Sequence, residues 1–456
     1  MDPVSTSPAS MTSSVLAAGV PGLAVVYVVL AAVATVLQLR YAARHHHTLA
    51  DSRADVGSED YRPSVDVVVP CFNEDPAVLD RCLSSLVEQR YHGELRVWIV
   101  DDGSSNRAVL EPVYDRFTAR DGWNLITQPH NQGKRLAQDA AVRSSQGELV
   151  INVDSDTVVS KDGIRHIAAL FCDPRVGVAT GNVRASNRNV NALARLIDVR
   201  YRLLFEIERA AQSLHHSVLC CSGPFAAYRR SAILGVWPRY LTQEFRGVRC
   251  TSGEDLHLTL LVLTSGHRSL FEPRAEAETM VPSRLKDYAR QQLRWNRSFY
   301  RELSWIRPLL GKHPAYLTLD VTARLWLPLL LPLTLVLALV AATLDSRTLL
   351  WQGGLLAGMM TIHVALCAWQ TRQPRLTLLY GVLYLALLIP IRLYALCTLS
   401  NPSWGTRRFE QGRIRRAVMN PAQRRNRGPG IQVDRTDVVH GPTQLPESAA
   451  EARRME

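Results

Sequence analysis

Leu149-Val150-Ile151-Asn152-Val153-Asp154-Ser155-Asp156 is an apolar run that ends on two carboxylates one residue apart. A short continuous run of this kind reads as a buried strand, and the carboxyl ends of strands are where open α/β sheets bind their ligands. If the backbone stays extended through the pair, both side chains point to one side and can share a cation. Hard oxygen ligands from few protein groups, with positions left for phosphate oxygens, suit Mg²⁺ or Mn²⁺. A lone D-x-D is commonly a solvated loop, so its place after a strand gives it chemical meaning.

Working outward, Val65-Asp66-Val67-Val68-Val69 is closed by Pro70 and followed by Val78, Leu79, Cys82, Leu83, Leu86 and Val87 at helical spacing. This is a strand and then a helix. Leu95 to Val100 forms a second strand ending in Asp101-Asp102-Gly103-Ser104, and Asn124 to Thr127 a third. Strands alternating with helices predict an α/β domain with a mostly parallel sheet. Neither G-x-x-x-x-G-K-[ST] nor G-x-G-x-x-G occurs, so phosphate must be held by metal and base, with Lys134 and Arg135 as candidates. Gly253-Glu254-Asp255 opens an apolar helical stretch, where an acidic residue either caps the helix or serves as a general base toward a sugar hydroxyl. The run from Gln291 to Glu302 reads as an amphipathic interfacial helix.

The whole chain has 456 residues, a formal charge of +12 and a hydrophobic fraction of 47%. That excludes a disordered chain and a single small module. A mean hydropathy of −0.04 resembles a soluble protein only because it averages unlike segments. Pro21 to Leu39 carries no charge and is followed by Arg40 and Arg44, which predicts an uncleaved span over 21–39 with residues 1–20 outside and the next residues in the cytoplasm. Three further apolar stretches, 325–344, 348–371 and 376–400, make a membrane region over 316–400. Three full crossings would export the Arg-rich segment 401–416, against the positive-inside rule. One stretch is therefore expected to be re-entrant, interfacial or double, with Pro328, Pro332 and Pro390 as candidate breaks.

Residues 62–283 then form a cytoplasmic catalytic domain, 284–310 an interfacial helix, and 417–456 a disordered tail. The expected location is the plasma membrane, crossed several times. Eight cysteines without a C-x-x-C pair suggest reduced thiols and neither zinc nor disulfides. His45-His46-His47 reads as a solvated juxtamembrane patch in preference to a metal tract. Arg clusters near membrane boundaries and the lack of a recognition motif argue against nucleic acid.

Together these residues resemble the processive family 2 glycosyltransferases of the GT-A fold, the class of cellulose, chitin and hyaluronan synthases. The resemblance covers residues 62–305 and the membrane segments. It rests on Pro70-x-Phe72-Asn73-Glu74, Val100-Asp101-Asp102-Gly103-Ser104, Asp154-Ser155-Asp156, Gly253-Glu254-Asp255 and Gln291-x-x-Arg294-Trp295. Cys221-Ser222-Gly223-Pro224 with Tyr228-Arg229 fits hyaluronan synthases and nodulation chitin-oligosaccharide synthases alike. Gln243-Glu244-Phe245-x-Gly247-x-x-Cys250, the Arg294 to Phe299 run and Trp404-Gly405-Thr406-Arg407 lean toward hyaluronan synthase. Two departures stand out. Leu256 replaces the Arg usual after the acidic motif, and there is one N-terminal span where many hyaluronan synthases have two.

The resemblance implies Glu74, Asp102 and Lys134 around a uridine, with Asp154 and Asp156 on nucleotide and metal. It implies Asp255 as the base, and Gln291, Arg294 and Trp295 on diphosphate and acceptor sugar. Trp404 and Arg407 would reach back from the membrane edge. The implied activity is inverting polymerisation of UDP-sugars with extrusion of the growing polysaccharide through membrane lipid. Hyaluronan from UDP-GlcNAc and UDP-GlcA is the first reading, and a chitin oligosaccharide from UDP-GlcNAc alone is the alternative.

Overall fold

The structure is a computed structural model that describes residues 8–51, 61–312, 314–342 and 373–401, with isolated helical positions between 350 and 361. Its strands are β1 (Val65–Cys71), β2 (Leu95–Asp101), β3 (Trp123–Thr127), β4 (Leu149–Val153), β5 (Thr157–Val159), β6 (Val176–Ala185) and β7 (Phe225–Arg229). A small hairpin of β8 (Glu244–Phe245) and β9 (Val248–Arg249) precedes β10 (Arg268–Thr279). Eight strands make one sheet in the order β3-β2-β1-β4-β7-β6-β10-β5. The first four run parallel. β7 then enters antiparallel between β4 and β6, β10 is parallel to β6, and β5 closes the far edge antiparallel to β10.

The β-branched run of β1 is buried on both faces, as a sheet covered by helices on either side requires. Helices Pro76–Val87 and Lys134–Ser144 contribute Val78, Leu79, Leu83, Ala137, Ala141 and Val142 to that cover. The first of these is started by Asp75, whose carboxylate accepts from Ala77 N and Val78 N. Each parallel strand therefore delivers its carboxyl end to the same edge, where Cys71, Asp101 and Val153 end their strands.

Among the described residues, three helices are long and apolar enough to cross a membrane: Gly22–Thr48, Ala315–Leu337 and Pro374–Cys397. The first lies within one helix, Pro8–Asp51, which runs through Arg40 and Arg44 where the sequence reading ended the span. Pro328 and Pro332 sit inside the continuous helix Ala315–Ala342. Pro390 follows a π-helical turn, Tyr384–Leu388. A proline that lacks a donor and crowds the carbonyl one turn back is accommodated by widening that turn, so the chain stays helical. The 348–371 stretch falls almost wholly outside the described residues, as do Trp404, Arg407 and the tail.

Polar contacts fasten these helices to the sheet domain. Asp320 accepts from Gln38 Nε2 (3.2 Å), Gln212 Nε2 (2.7 Å) and Arg324 Nε (2.8 Å), and Arg324 Nη1 donates to Glu208 Oε2 at 2.7 Å. Ionisable groups in an apolar helix are tolerated when they satisfy one another in this way. Helix Leu285–Arg301 is tied to the end of the last apolar helix, because Arg297 Nε donates to Thr398 Oγ1 (3.1 Å) and Arg301 donates to the carbonyls of Leu399 (2.9 Å) and Asn401 (2.7 Å).

Candidate active site

At the end of β2, Asp101 and Asp102 have different duties. Asp101 is fully buried and accepts from Ser104 N (2.7 Å), Arg107 Nε (3.2 Å) and Tyr114 OH (3.1 Å), which builds the turn. Asp102 accepts from Gln132 N (2.7 Å), Gly133 N (2.9 Å) and Asn131 Nδ2 (3.0 Å), drawing the loop before Lys134 over the sheet edge. Burial pushes its carboxyl above the usual aspartate range, against the pull of the two backbone donors. Gly103, the next residue, has φ of 69°, and a Cβ there would lie 2.3 Å from the carbonyl carbon of His130. Gly103→Ala is accordingly expected to cost about 2 kcal/mol or more of stability, read as a lowered thermal midpoint of the solubilised protein. An unchanged midpoint would count against this close approach.

Glu74 and the D-x-D turn meet directly. Ser155 Oγ donates to Glu74 Oε2 at 2.7 Å, joining the end of β1 to the end of β4. Asp154 to Thr157 is a turn closed by Thr157 N on Asp154 O at 2.9 Å. This corrects the extended geometry expected from the sequence, and with it the same-side argument. Asp154 instead pairs with the ammonium of Lys134, while Asp156 is buried and accepts from Thr279 Oγ1 of β10 at 3.0 Å. Among the described residues no group of three or more His, Cys, Asp or Glu is arranged to hold a metal. Two carboxylates from one turn still suit a hard cation whose other ligands come from a diphosphate and water.

Lys134, the first residue of its helix, also lies 3.5 Å from Glu254 Oε1. Burial works against its charge, but Asp154, Glu254 and Asp255 outweigh that and hold the ammonium well above the ordinary lysine value. Asp255 is the other half of the balance. Its oxygens accept from Leu256 N (2.8 Å) and Gly223 N (3.2 Å). Desolvation, then the neighbouring Glu254, push its carboxyl up, against the opposing pull of Lys134 and the two backbone donors. Gly223 permits this approach, since a Cβ there would stand 2.8 Å from Lys134 Nζ and 3.8 Å from both carboxylate oxygens of Asp154. Lys134, Asp154, Glu254, Asp255 and the Gly223 backbone thus form one charged cluster.

Gly253 caps the helix Glu254–Thr264 in the left-handed region (φ 85°), and a Cβ on it would meet Ser298 Cβ at 2.6 Å. That contact lays helix Leu285–Arg301, which carries Gln291, Arg294 and Trp295, against the acidic motif. Trp295 is 41% exposed, and Gln291 Oε1 is buried with no hydrogen-bond partner. Arg135, a phosphate candidate from the sequence, is occupied elsewhere: it donates to Tyr240 O (2.8 Å) and Gln243 Oε1 (2.5 Å). Leu256 packs into an apolar cluster with Leu219, Leu260, Leu263, Ile306, Leu309, Leu317 and Val321. The position that is usually Arg in the resembling family here anchors the acidic helix to the helix at Ala315–Ala342.

Sequence reasoning missed Ser155, Gly223, Thr279 and Ser298 as participants. Ser155 and Gly223 stood inside quoted motifs and were legible in principle; Thr279 is brought in only by the pairing of β10.

With this geometry in hand, comparison with known proteins gives a consistent result. The profile described as glycosyl transferase family 2 matches residues 66–237. An N-acetylglucosaminyltransferase of Rhizobium sp. (strain N33) is 44% identical over 364 residues, which is 79% of this chain and 81% of the relative. N-acetylglucosaminyltransferases of Sinorhizobium fredii and Azorhizobium caulinodans are 45% and 39% identical, each over 76% of this chain and over 84% and 87% of their own lengths. In fold, the chain is similar to a mannosyltransferase from Pyrobaculum calidifontis solved with GDP-Man and Mn²⁺. The TM-score is 0.56 at 23% identity, covering 80% of this chain and 99% of the other. A GT-A-like sheet carrying a charged cluster at its strand ends, joined to relatives of this similarity over most of their length, makes the chain a member of glycosyltransferase family 2.

Proposed function

We propose that the protein is a membrane-embedded, inverting N-acetylglucosaminyltransferase that builds a short β-linked N-acetylglucosamine polymer from UDP-GlcNAc. The observation that carries the chemistry is the partly buried Asp255 carboxylate, oriented by two backbone N–H groups and raised above the ordinary aspartate range. A base so placed takes the proton of an acceptor hydroxyl as that oxygen attacks the donor's anomeric carbon. One displacement with one base inverts the configuration. Lys134 supplies fixed positive charge beside Asp154, at the mouth of a helix N-terminus suited to phosphate. The exposed indole of Trp295 offers a face for a pyranose.

Asp154 and Asp156 are the residues to hold a divalent cation, Mg²⁺ or Mn²⁺, which supplies positive charge to a leaving diphosphate when bound. The Mn²⁺ bound in the Pyrobaculum structure supports a divalent cation as such, without naming its ligands. The apolar helices support a membrane setting in which a polar product leaves beside the site. The choice of donor rests on the relatives, whose names carry N-acetylglucosamine alone. The hyaluronan reading of the sequence yields to the single-donor alternative on that ground.

The test is direct. Membranes bearing the full chain are given UDP-GlcNAc with and without UDP-GlcA, and products are sized and digested. The expected product is an N-acetylglucosamine oligomer formed equally well without the uronic donor. A product that requires UDP-GlcA would restore hyaluronan synthesis, and a single sugar added to lipid would remove polymerisation.

A further inference from the structure

Behind the charged cluster lies a second, fully desolvated polar junction. Glu302 is 1% exposed, Gln243 5% and His257 0%. Gln243 Nε2 donates to Glu302 Oε1, and His257 Nδ1 lies 2.9 Å from Glu302 Oε2. The polarity of this junction is determined from one end. Arg135 has only donors, and its Nη2 reaches Gln243 Oε1 at 2.5 Å, so the Gln243 amide must turn its nitrogen toward Glu302. At the other end His257 Nε2 is buried with no partner, which assigns the ring proton to Nδ1. Both oxygens of Glu302 therefore face donors, and the site needs an acceptor-only group.

We infer that Glu302 is a positioning residue, holding the acceptor-binding helix in register with the catalytic base through a polarity-locked relay, Arg135 to Gln243 to Glu302 to His257. Each member belongs to a different working part. Arg135 follows Lys134, and Gln243 leads into the β8–β9 hairpin. His257 is two residues beyond Asp255, and Glu302 ends the helix of Gln291, Arg294 and Trp295. Arg135 is further held over the Tyr240 ring at 4.8 Å, and Trp305 packs edge-on against His257 with ring centroids 5.2 Å apart. The relay therefore has no slack to absorb a wrong donor. A misplacement near 1 Å of groups that act together costs about 10²-fold in rate. This inference rests on the reading of Asp255 as the base.

The test is a polarity swap in the full-length protein. Glu302→Gln either turns an amide N–H against the Gln243 N–H, or turns it toward His257 and drives the ring proton onto the buried, partnerless Nε2, and kcat is expected to fall about tenfold while KM for UDP-GlcNAc stays within about twofold. Gln243→Glu sets two carboxylates face to face, with a similar loss. In the double variant the carboxylate stands beside Arg135 and the amide lies between it and His257, so every donor again meets an acceptor. Its kcat should return to within about threefold of the parent, a coupling that independent sites do not show. Losses that multiply in the double variant, or a Glu302→Gln variant with lowered thermal midpoint and unchanged kcat, would overturn the inference. Asp255→Asn runs beside them. Activity surviving there overturns the base assignment itself, whereas an inactive Asp255→Asn without rescue in the double variant overturns only the positioning role.

Discussion

Asp255→Asn is expected to reduce kcat about 10³-fold or more while UDP-GlcNAc still binds, and to make the protein more stable at neutral pH. The rate effect follows from general base catalysis, which contributes between about 10² and 10⁴. Asn keeps the size and can still accept from Gly223 N and Leu256 N but takes up no proton. The stability effect follows from the direction of the pKa shift. Burial and Glu254 raise the folded carboxyl above its ordinary value, so the folded state binds the proton more tightly than the unfolded one. The contribution of that group to stability is then greatest in acid, and is lost as pH rises from the ordinary carboxylate value through the raised folded value. A neutral amide escapes that loss, so the variant should gain in thermal midpoint at pH 7 and converge on the parent near pH 4. The parent's kcat/KM should likewise fall in acid with a midpoint above that of an ordinary aspartate. A stable but fully active variant, or one with no gain at neutral pH, would sink the assignment.

The parallel half of the sheet was legible because its strands are short runs dominated by β-branched and aliphatic residues, and β2 and β4 run straight into Asp101-Asp102-Gly103 and Asp154-Ser155-Asp156, while β1 continues through Pro70 to Cys71. Those acidic ends are also the site, which is why fold and candidate chemistry emerged together. The antiparallel insertion was not legible. β7 is Phe225-Ala226-Ala227-Tyr228-Arg229, short and alanine-rich, and it is made a strand by neighbours on both sides. The D-x-D geometry was misread for a local reason: the backbone hydrogen bond of Thr157 turns the chain at once, where strand alternation was extrapolated one residue too far. The Glu302 relay joins residues 59 and 45 positions apart in sequence, and no spacing rule reaches that far. Leu256, a departure when seen as a motif letter, is an ordinary core residue once Ile306, Leu317 and Val321 are seen around it.

Lys134→Met should be the most disruptive change at the site. The ammonium lies between Asp154 and Glu254, and Asp255 adds to the field it feels. Removing one member of a buried ion pair leaves its partners desolvated and unpaired, which costs about 3 to 5 kcal/mol. Here Lys134, Asp154 and Glu254 keep 17%, 24% and 14% of their side-chain exposure, so water screens the partners left behind and the loss belongs at the lower end of that range. The rate effect has its own signature. Lys134 is the charge that lowers the Asp255 carboxyl, so without it the base is driven further up and the acid limb of the kcat/KM profile moves to higher pH. Lys134→Arg keeps the charge on a bulkier, forked head beneath the Gly223 backbone, and should retain much of the stability while losing rate through misplacement. Mn²⁺ added without donor should recover part of the Lys134→Met stability, because a cation that binds only the folded carboxylates shifts the equilibrium toward that state. If the Lys134→Met acid limb coincides with the parent's and its thermal midpoint is unaffected by Mn²⁺, then Lys134, Asp154 and Asp255 do not act as one electrostatic unit.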